Sequence, residues 1–181
     1  MNPVIVATIF VGAWLLSSAS APGQTVGVRP VPHQGVLGAK DAGNVWRKAN
    51  GKEQILTRDG LATNVKTAPD GTIAWVEGQM ILYPNKDLPV TAKGYPKVPT
   101  YFPAAIRVWK NGKRLCRIVP EKLAEVEFVF VKGGRQIAVG SAGMHGPCYQ
   151  QLFEAKTGRL LERHAGYEEK IPEWAKAVKF Y

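Results

Sequence analysis

Few residues of this chain combine the types and spacing that chemistry requires. His145-Gly146-Pro147-Cys148 places an imidazole and a thiol three positions apart, two ligands of the kind zinc takes. A structural zinc site needs four such ligands, and no complementary cluster accompanies this pair, since His33 and His164 lie far away in the sequence. Val139-Gly140-Ser141-Ala142-Gly143 has the outline of a nucleophile elbow but lacks its first glycine, and no helical pattern follows it. Glu125/Glu127 and Glu168/Glu169 are carboxylate pairs, as acid–base work would need. On a strand, however, Glu125 and Glu127 share one face while Val126 and Phe128 share the other, the pattern of a half-buried strand. There is no His-Glu-x-x-His, phosphate loop or dinucleotide fingerprint. No catalytic residue, metal ligand or cofactor is therefore assigned. A small secreted hydrolase using Ser141 or His145 stands as the remote alternative.

Binding chemistry is better represented. Lys and Arg number 24 against 14 Asp and Glu, a formal net charge of +10. Arg107, Lys110, Lys113, Arg114 and Arg117 concentrate within eleven positions. Such an excess suits a polyanion, and no nucleic-acid fold signature accompanies it. Tyr95, Tyr101 and Phe102 lie close by, among prolines and lysines. Together these eight residues form the candidate contact surface.

The N-terminus suggests where the chain works. Val4 to Leu16 is an uncharged apolar run of 13 residues, too short for the roughly 20 that span a bilayer. Small residues follow at once, as in a secretory signal peptide occupying 1–19, with cleavage as late as 23. The expectation is export to a periplasmic or extracellular space, with no membrane span after cleavage. In such a compartment Cys116 and Cys148 are expected to pair as one disulfide, the alternative being two buried thiols.

The elements that would position these residues repeat. Val45-Trp46 leads to Asn50-Gly51-Lys52, Val108-Trp109 to Asn111-Gly112-Lys113, and Leu152-Phe153 to Thr157-Gly158-Arg159. Each reads as a β-hairpin whose turn needs positive φ. A second pattern takes Val65 through Pro69-Asp70-Gly71 into Ile73-Ala74-Trp75-Val76, and Val126–Val131 through Gly133-Gly134 into Ile137-Ala138-Val139. Trp46, Trp75 and Trp109 fall at equivalent-looking strand positions, where they are expected to pack between repeats. Five of the 13 prolines fall between Pro84 and Pro103, so that stretch is expected to be a loop, because proline cannot donate to a sheet ladder. With it removed, the Trp46–Trp109 spacing becomes 43, against 44 from Trp109 to Phe153. Propeller blades of four strands repeat at about 40–45 residues.

The segment from Val45 to Gly78 resembles a blade junction of the TolB-like, WD-type β-propellers, through Asn50-Gly51, Pro69-Asp70-Gly71 and Ile73-Ala74. The second copy departs from that pattern, with Lys132-Gly133-Gly134 replacing Pro-Asp-Gly. The resemblance implies four-stranded antiparallel blades. Larger relatives in that family sometimes carry a hydrolase domain, for which this chain has no counterpart.

Ten strands make about two and a half blades, whereas closed propellers have four or more. The expected fold is all-β with little helix: an open, partial propeller or, alternatively, a two-sheet sandwich. Residues 20–44 form an N-terminal extension, 45–163 the repeat domain with its insertion at 84–103, and 164–181 a C-terminal cap. The expected function is an exported, non-catalytic module binding a protein, a peptide or a second copy through the insertion or a sheet edge. Binding of an acidic envelope polymer or membrane head groups through the Arg107–Arg117 hairpin is the alternative.

Overall fold

A computed structural model describes residues 23–166 and 170–178; the expected signal peptide lies almost wholly outside them. Eleven strands make up the described fold. They are β1 (Gln24–Pro30), β2 (Gly43–Ala49), β3 (Lys52–Ile55), β4 (Ala62–Thr67), β5 (Ile73–Pro84), β6 (Lys97–Lys110), β7 (Lys113–Ile118), β8 (Glu125–Val131), β9 (Gln136–Ala142), β10 (Tyr149–Glu154) and β11 (Leu160–Ala165). Helical structure is limited to short 3-10 turns at Lys132–Gly134 and Ala175–Ala177. The fold is all-β and antiparallel, and the sheets do not close into a barrel.

Turn chemistry accounts for the hairpins. Asn50-Gly51 and Asn111-Gly112 each supply two consecutive positive φ angles, of 51° and 74° and of 49° and 81°. These are the mirror-image turns whose twist matches the flanking strands. β2–β3, β6–β7 and β10–β11 are the three expected hairpins, and β4–β5 and β8–β9 are the two expected glycine-turn pairs. Strands β4 to β7 and β8 to β11 therefore form two four-stranded meanders of the same order.

Side-chain alternation stacks these meanders. Ala74, Val76, Ile106, Val108 and Ile118 of the first pack against Val126, Phe128, Ile137, Val139 and Phe153 of the second. The opposite face of β4–β7 carries Ile73, Trp75 and Trp109, covered by Val26 of β1 and Val45 of β2. The β1–β3 segment joins the large sheet through one pair, Gly43 with Ala62, and folds back over that face. The outer face of β8–β11 buries Ala138 and Leu152 under Trp174 and Val178. The β4–β7 sheet is thus buried on both sides, which explains why Ile73-Ala74-Trp75-Val76 is continuously apolar rather than alternating.

Three expectations are corrected. First, the stretch 84–103 is not a loop throughout: β6 begins at Lys97 and runs through Pro99 and Pro103, confining the loop to 85–96. The prolines are tolerated because of where their backbone faces. The carbonyl of Pro99 and the N–H of Tyr101 both bond Leu37, on the side of β6 away from β5, so odd-numbered residues here owe the β5 ladder no donor. Pro103 stands opposite Gly78, beside a bulge that inserts Ala104.

Second, Trp46 is not equivalent to Trp75 and Trp109. Val45 enters the shared cluster, and its neighbour Trp46 faces the other way, against Gly27. In β6 the alternation is the reverse: Val108 faces the second meander and Trp109 enters the cluster of Val45, Ile73 and Trp75.

Third, Cys116 and Cys148 are separate thiols. Cys116 in β7 lies beside Ala155, whose carbonyl accepts its S–H at 3.3 Å. Cys148 precedes the opposite end of β10, where its carbonyl accepts the Gly166 N–H. The full length of β10, roughly 20 Å at the strand rise, separates the two positions, whereas a disulfide needs Cα atoms within about 7 Å. Burial pushes the Cys116 thiol up to about 11, so it stays protonated and unreactive at neutral pH. Denatured without reductant, the protein is expected to take up two alkyl groups by intact mass, and no uptake would restore the disulfide. In the native state Cys116 should label slowly until the pH approaches that raised value.

Candidate functional site

β5 and β6 outrun their neighbours. β4 pairs with β5 only from Ile73 to Glu77, and β7 pairs with β6 only from Ile106 to Lys110. Beyond these limits, from Gly78 opposite Pro103 to Pro84 opposite Lys97, the two strands continue alone as a ribbon. This arm of seven residue pairs is roughly 20 Å long.

The root of the arm is fixed by Tyr101. Its hydroxyl lies 3.1 Å from Thr63 Oγ1 and 3.3 Å from the Leu61 carbonyl oxygen, to which it donates. The ring lies directly over Gly78, where any Cβ would collide with it. Burial first, and the nearby Asp59 charge second, push the Tyr101 phenol above its ordinary range, against the opposing Thr63 hydrogen bond.

Above this root the side chains are apolar and uncovered. Met80, Ile81 and Leu82 are 39%, 40% and 66% exposed, and Leu88, Val90 and Tyr95 are exposed at the tip. Tyr83 and Phe102 pack diagonally across one face, with ring centroids 5.3 Å apart. Lys86, Lys93 and Lys97 against Asp87 make the tip cationic.

The two edges of the arm differ. The β6 edge carries Pro99 and Pro103 and is bridged by Leu37, so it is blunted. On β5, Asn85 donates to the Pro96 carbonyl across the ribbon, and Gly78 donates outward to the Leu61 carbonyl. By strand alternation, Gln79, Ile81 and Tyr83 bond β6, while Met80 and Leu82 aim their N–H and C=O groups outward. Among the described residues, no strand pairs with β5 on that side beyond Gly78.

The residues singled out from the sequence divide accordingly. Tyr95 and Phe102 belong to the arm, and Tyr101 is spent on its root. Arg107 and Arg117 share one carboxylate, Glu77: Arg107 is in direct ion contact and Arg117 Nε lies 3.4 Å away. Lys110 Nζ lies 2.6 Å from Asp70 Oδ2 and is committed to the neighbouring turn. Burial would raise the Asp70 carboxyl, but the Lys110 and Thr72 hydrogen bonds outweigh it and hold the group below its ordinary range. Lys113 and Arg114 stay exposed at the β6–β7 turn, and Arg47 stacks 4.4 Å from the Trp109 ring centre. The five basic residues therefore do not act as one free cationic patch.

The residues with catalytic outlines are not brought together. Ser141 is fully buried in β9 between Val126 and Tyr149, and its hydroxyl has no hydrogen-bond partner among the described residues. His145 lies exposed in the β9–β10 loop. Among the described residues, no three His, Cys, Asp or Glu side chains converge as metal ligands. An open hollow of about 390 Å³ lies along 30–40, but its His33 is bonded at 2.7 Å to the Gly60 carbonyl oxygen. A second, of about 370 Å³, is lined by Lys132, Arg135, Arg159 and Glu154.

Sequence reasoning missed Met80, Ile81 and Leu82. Two β-prone runs, Met80–Tyr83 and Val98–Phe102, flank a Lys-Gly pair and could have signalled the ribbon. The proline density hid it. No protein-family model, curated protein or solved structure matches the chain.

The collision at Gly78 is testable. Gly78→Ala is expected to lower stability by about 1–3 kcal/mol, the usual cost of forcing extra volume into a packed site. In a Tyr101→Ala background that cost should largely vanish in urea denaturation, as a direct contact requires. An undiminished cost would place the strain elsewhere.

Proposed function

We propose that the protein is an exported, non-catalytic binding module that accepts an extended protein segment along the β5 edge of its arm. The observation that carries this reading is the open stretch between Gly78 and Pro84, where unpaired backbone groups accompany exposed apolar side chains. Natural sheets usually blunt such an edge with charge, proline or a covering loop. β6 is blunted in this way and β5 is not. Strand addition draws affinity from main-chain hydrogen bonds and specificity from alternate side chains.

The lysines around the tip favour a segment with acidic flanks. The excess positive charge supports that preference more than a separate polyanion site, because Arg107, Arg117 and Lys110 are already held by carboxylates. Export rests on the apolar run Val4–Leu16 and the small residues after it.

A labelled peptide of alternating Thr and Val with glutamates at each end is a suitable probe. By fluorescence anisotropy it is expected to bind saturably, and Leu82→Pro should weaken binding at least tenfold without changing the melting temperature. Leu82→Pro removes one outward N–H in the arm segment of β5, whose residues 78–84 belong to no core cluster. Equal binding by the wild type and Leu82→Pro would overturn strand addition. Binding that vanishes with salt and ignores Leu82→Pro would favour the polyanion reading.

A further inference from the structure

We propose that the segment accepted by the β5 edge is the same edge of a second copy, joined about a twofold axis through Ile81. This rests on the reading of β5 as a strand-accepting edge and names its occupant. The match of donors and acceptors carries it.

In an antiparallel pair centred on Ile81, Met80 of each copy lies opposite Leu82 of the other. Both residues aim their backbone outward, so the two N–H and two C=O groups from each copy satisfy one another in four hydrogen bonds. The next outward position on either side brings Gly78 opposite Pro84. Gly78 has already given its N–H to Leu61, and Pro84 has none, so the ladder ends without stranding a donor. Shifting the centre to Met80 sets Leu82 opposite Gly78, whose N–H is occupied, and leaves the Leu82 carbonyl unserved. Shifting it to Leu82 sets Met80 opposite Pro84 and leaves the Met80 carbonyl unserved. The Ile81 register alone pairs both N–H and both C=O groups of Met80 and Leu82, leaving only the end carbonyls of Gly78 and Pro84 outside the ladder.

The side chains agree with that register. Gln79 meets Tyr83, Met80 meets Leu82, and Ile81 meets its own copy. None carries charge, although the chain as a whole has a net charge of +10. Self-association of so basic a protein requires a contact that sets no like charges opposite each other, and this stretch satisfies that. The lysines begin only at Lys86, beyond the end of the ladder. Each arm projects past its own sheet, so two bodies can lie on opposite ends of a shared four-stranded ribbon.

Charge reversal at the axis tests this. Ile81 stands at a non-hydrogen-bonded pair, where opposing side chains approach most closely. By light scattering on a sizing column from 5 to 500 µM, the wild type is expected to reach twice the monomer mass. Ile81→Lys and Ile81→Glu should each halve that mass, since each opposes like charges, and an equimolar mixture of the two should return to the dimer. A wild type that stays monomeric at 500 µM, or single variants that stay dimeric, would overturn the proposal. A monomeric wild type that still binds the Thr/Val peptide would remove the second copy and leave strand addition standing. A monomer that ignores the peptide would remove both. Unchanged melting temperatures of both variants would show that the loss of mass is not loss of fold.

Discussion

Burial of the β4–β7 sheet on both faces is the constraint on which the rest of this structure depends. One face meets Phe128, Ile137 and Phe153 of the second meander, and the other meets Val26 and Val45. A sheet covered on both sides must be apolar at successive positions, as Ile73-Ala74-Trp75-Val76 is. It also holds its own strands rigidly, so β5 and β6 leave the layers in a defined direction. The arm is therefore an extension of the best-buried part of the molecule. Tyr101, seated over Gly78 and bonded to Thr63 and Leu61, fixes the point of departure.

The exposure of the arm and the burial of its root come from the same two strands. Up to Glu77, β5 lies between β4 and β6. From Gly78 onward, one side is lost while the apolar character of the side chains continues through Met80, Ile81, Leu82 and Tyr83. Residues of that kind are expensive to leave in water, at about 25 cal/mol per Å² of apolar surface. The proposed strand-accepting role would account for their retention in a segment that contributes to no core cluster.

Much of the fold was legible because its turns are chemically explicit. Asn50-Gly51, Asn111-Gly112 and Gly133-Gly134 fall where the strands reverse, and Ile73-Ala74 and Ile137-Ala138 mark equivalent buried strands in the two meanders. Three features were not legible. Pro99 and Pro103 argued against a strand because residue type does not reveal which side of a ribbon a backbone group faces. Trp46 and Trp109 share a local motif but not a role, because Val45 faces the shared cluster from β2 whereas Trp109 faces it from β6, and the motif does not reveal which member of the pair points there. Cys116 and Cys148 invited a bond through the compartment alone, and only the placement of β10 between them separates the thiols. Of the candidate contact residues, Tyr95, Tyr101 and Phe102 fall on the arm or its root. Lys110, Arg107 and Arg117 had acidic neighbours that sequence distance concealed.

An ordered arm with one open edge is tested most directly by backbone amide hydrogen exchange at residues 79–83, followed by NMR in dilute protein. Gln79, Ile81 and Tyr83 bond β6 and should exchange slowly, whereas Met80 and Leu82 face outward and should exchange fast. That alternation at single-residue spacing is the signature of a ribbon with one free edge. Uniformly fast exchange would mean that the arm is not formed, and uniformly slow exchange in dilute monomer would mean that its edge is already covered.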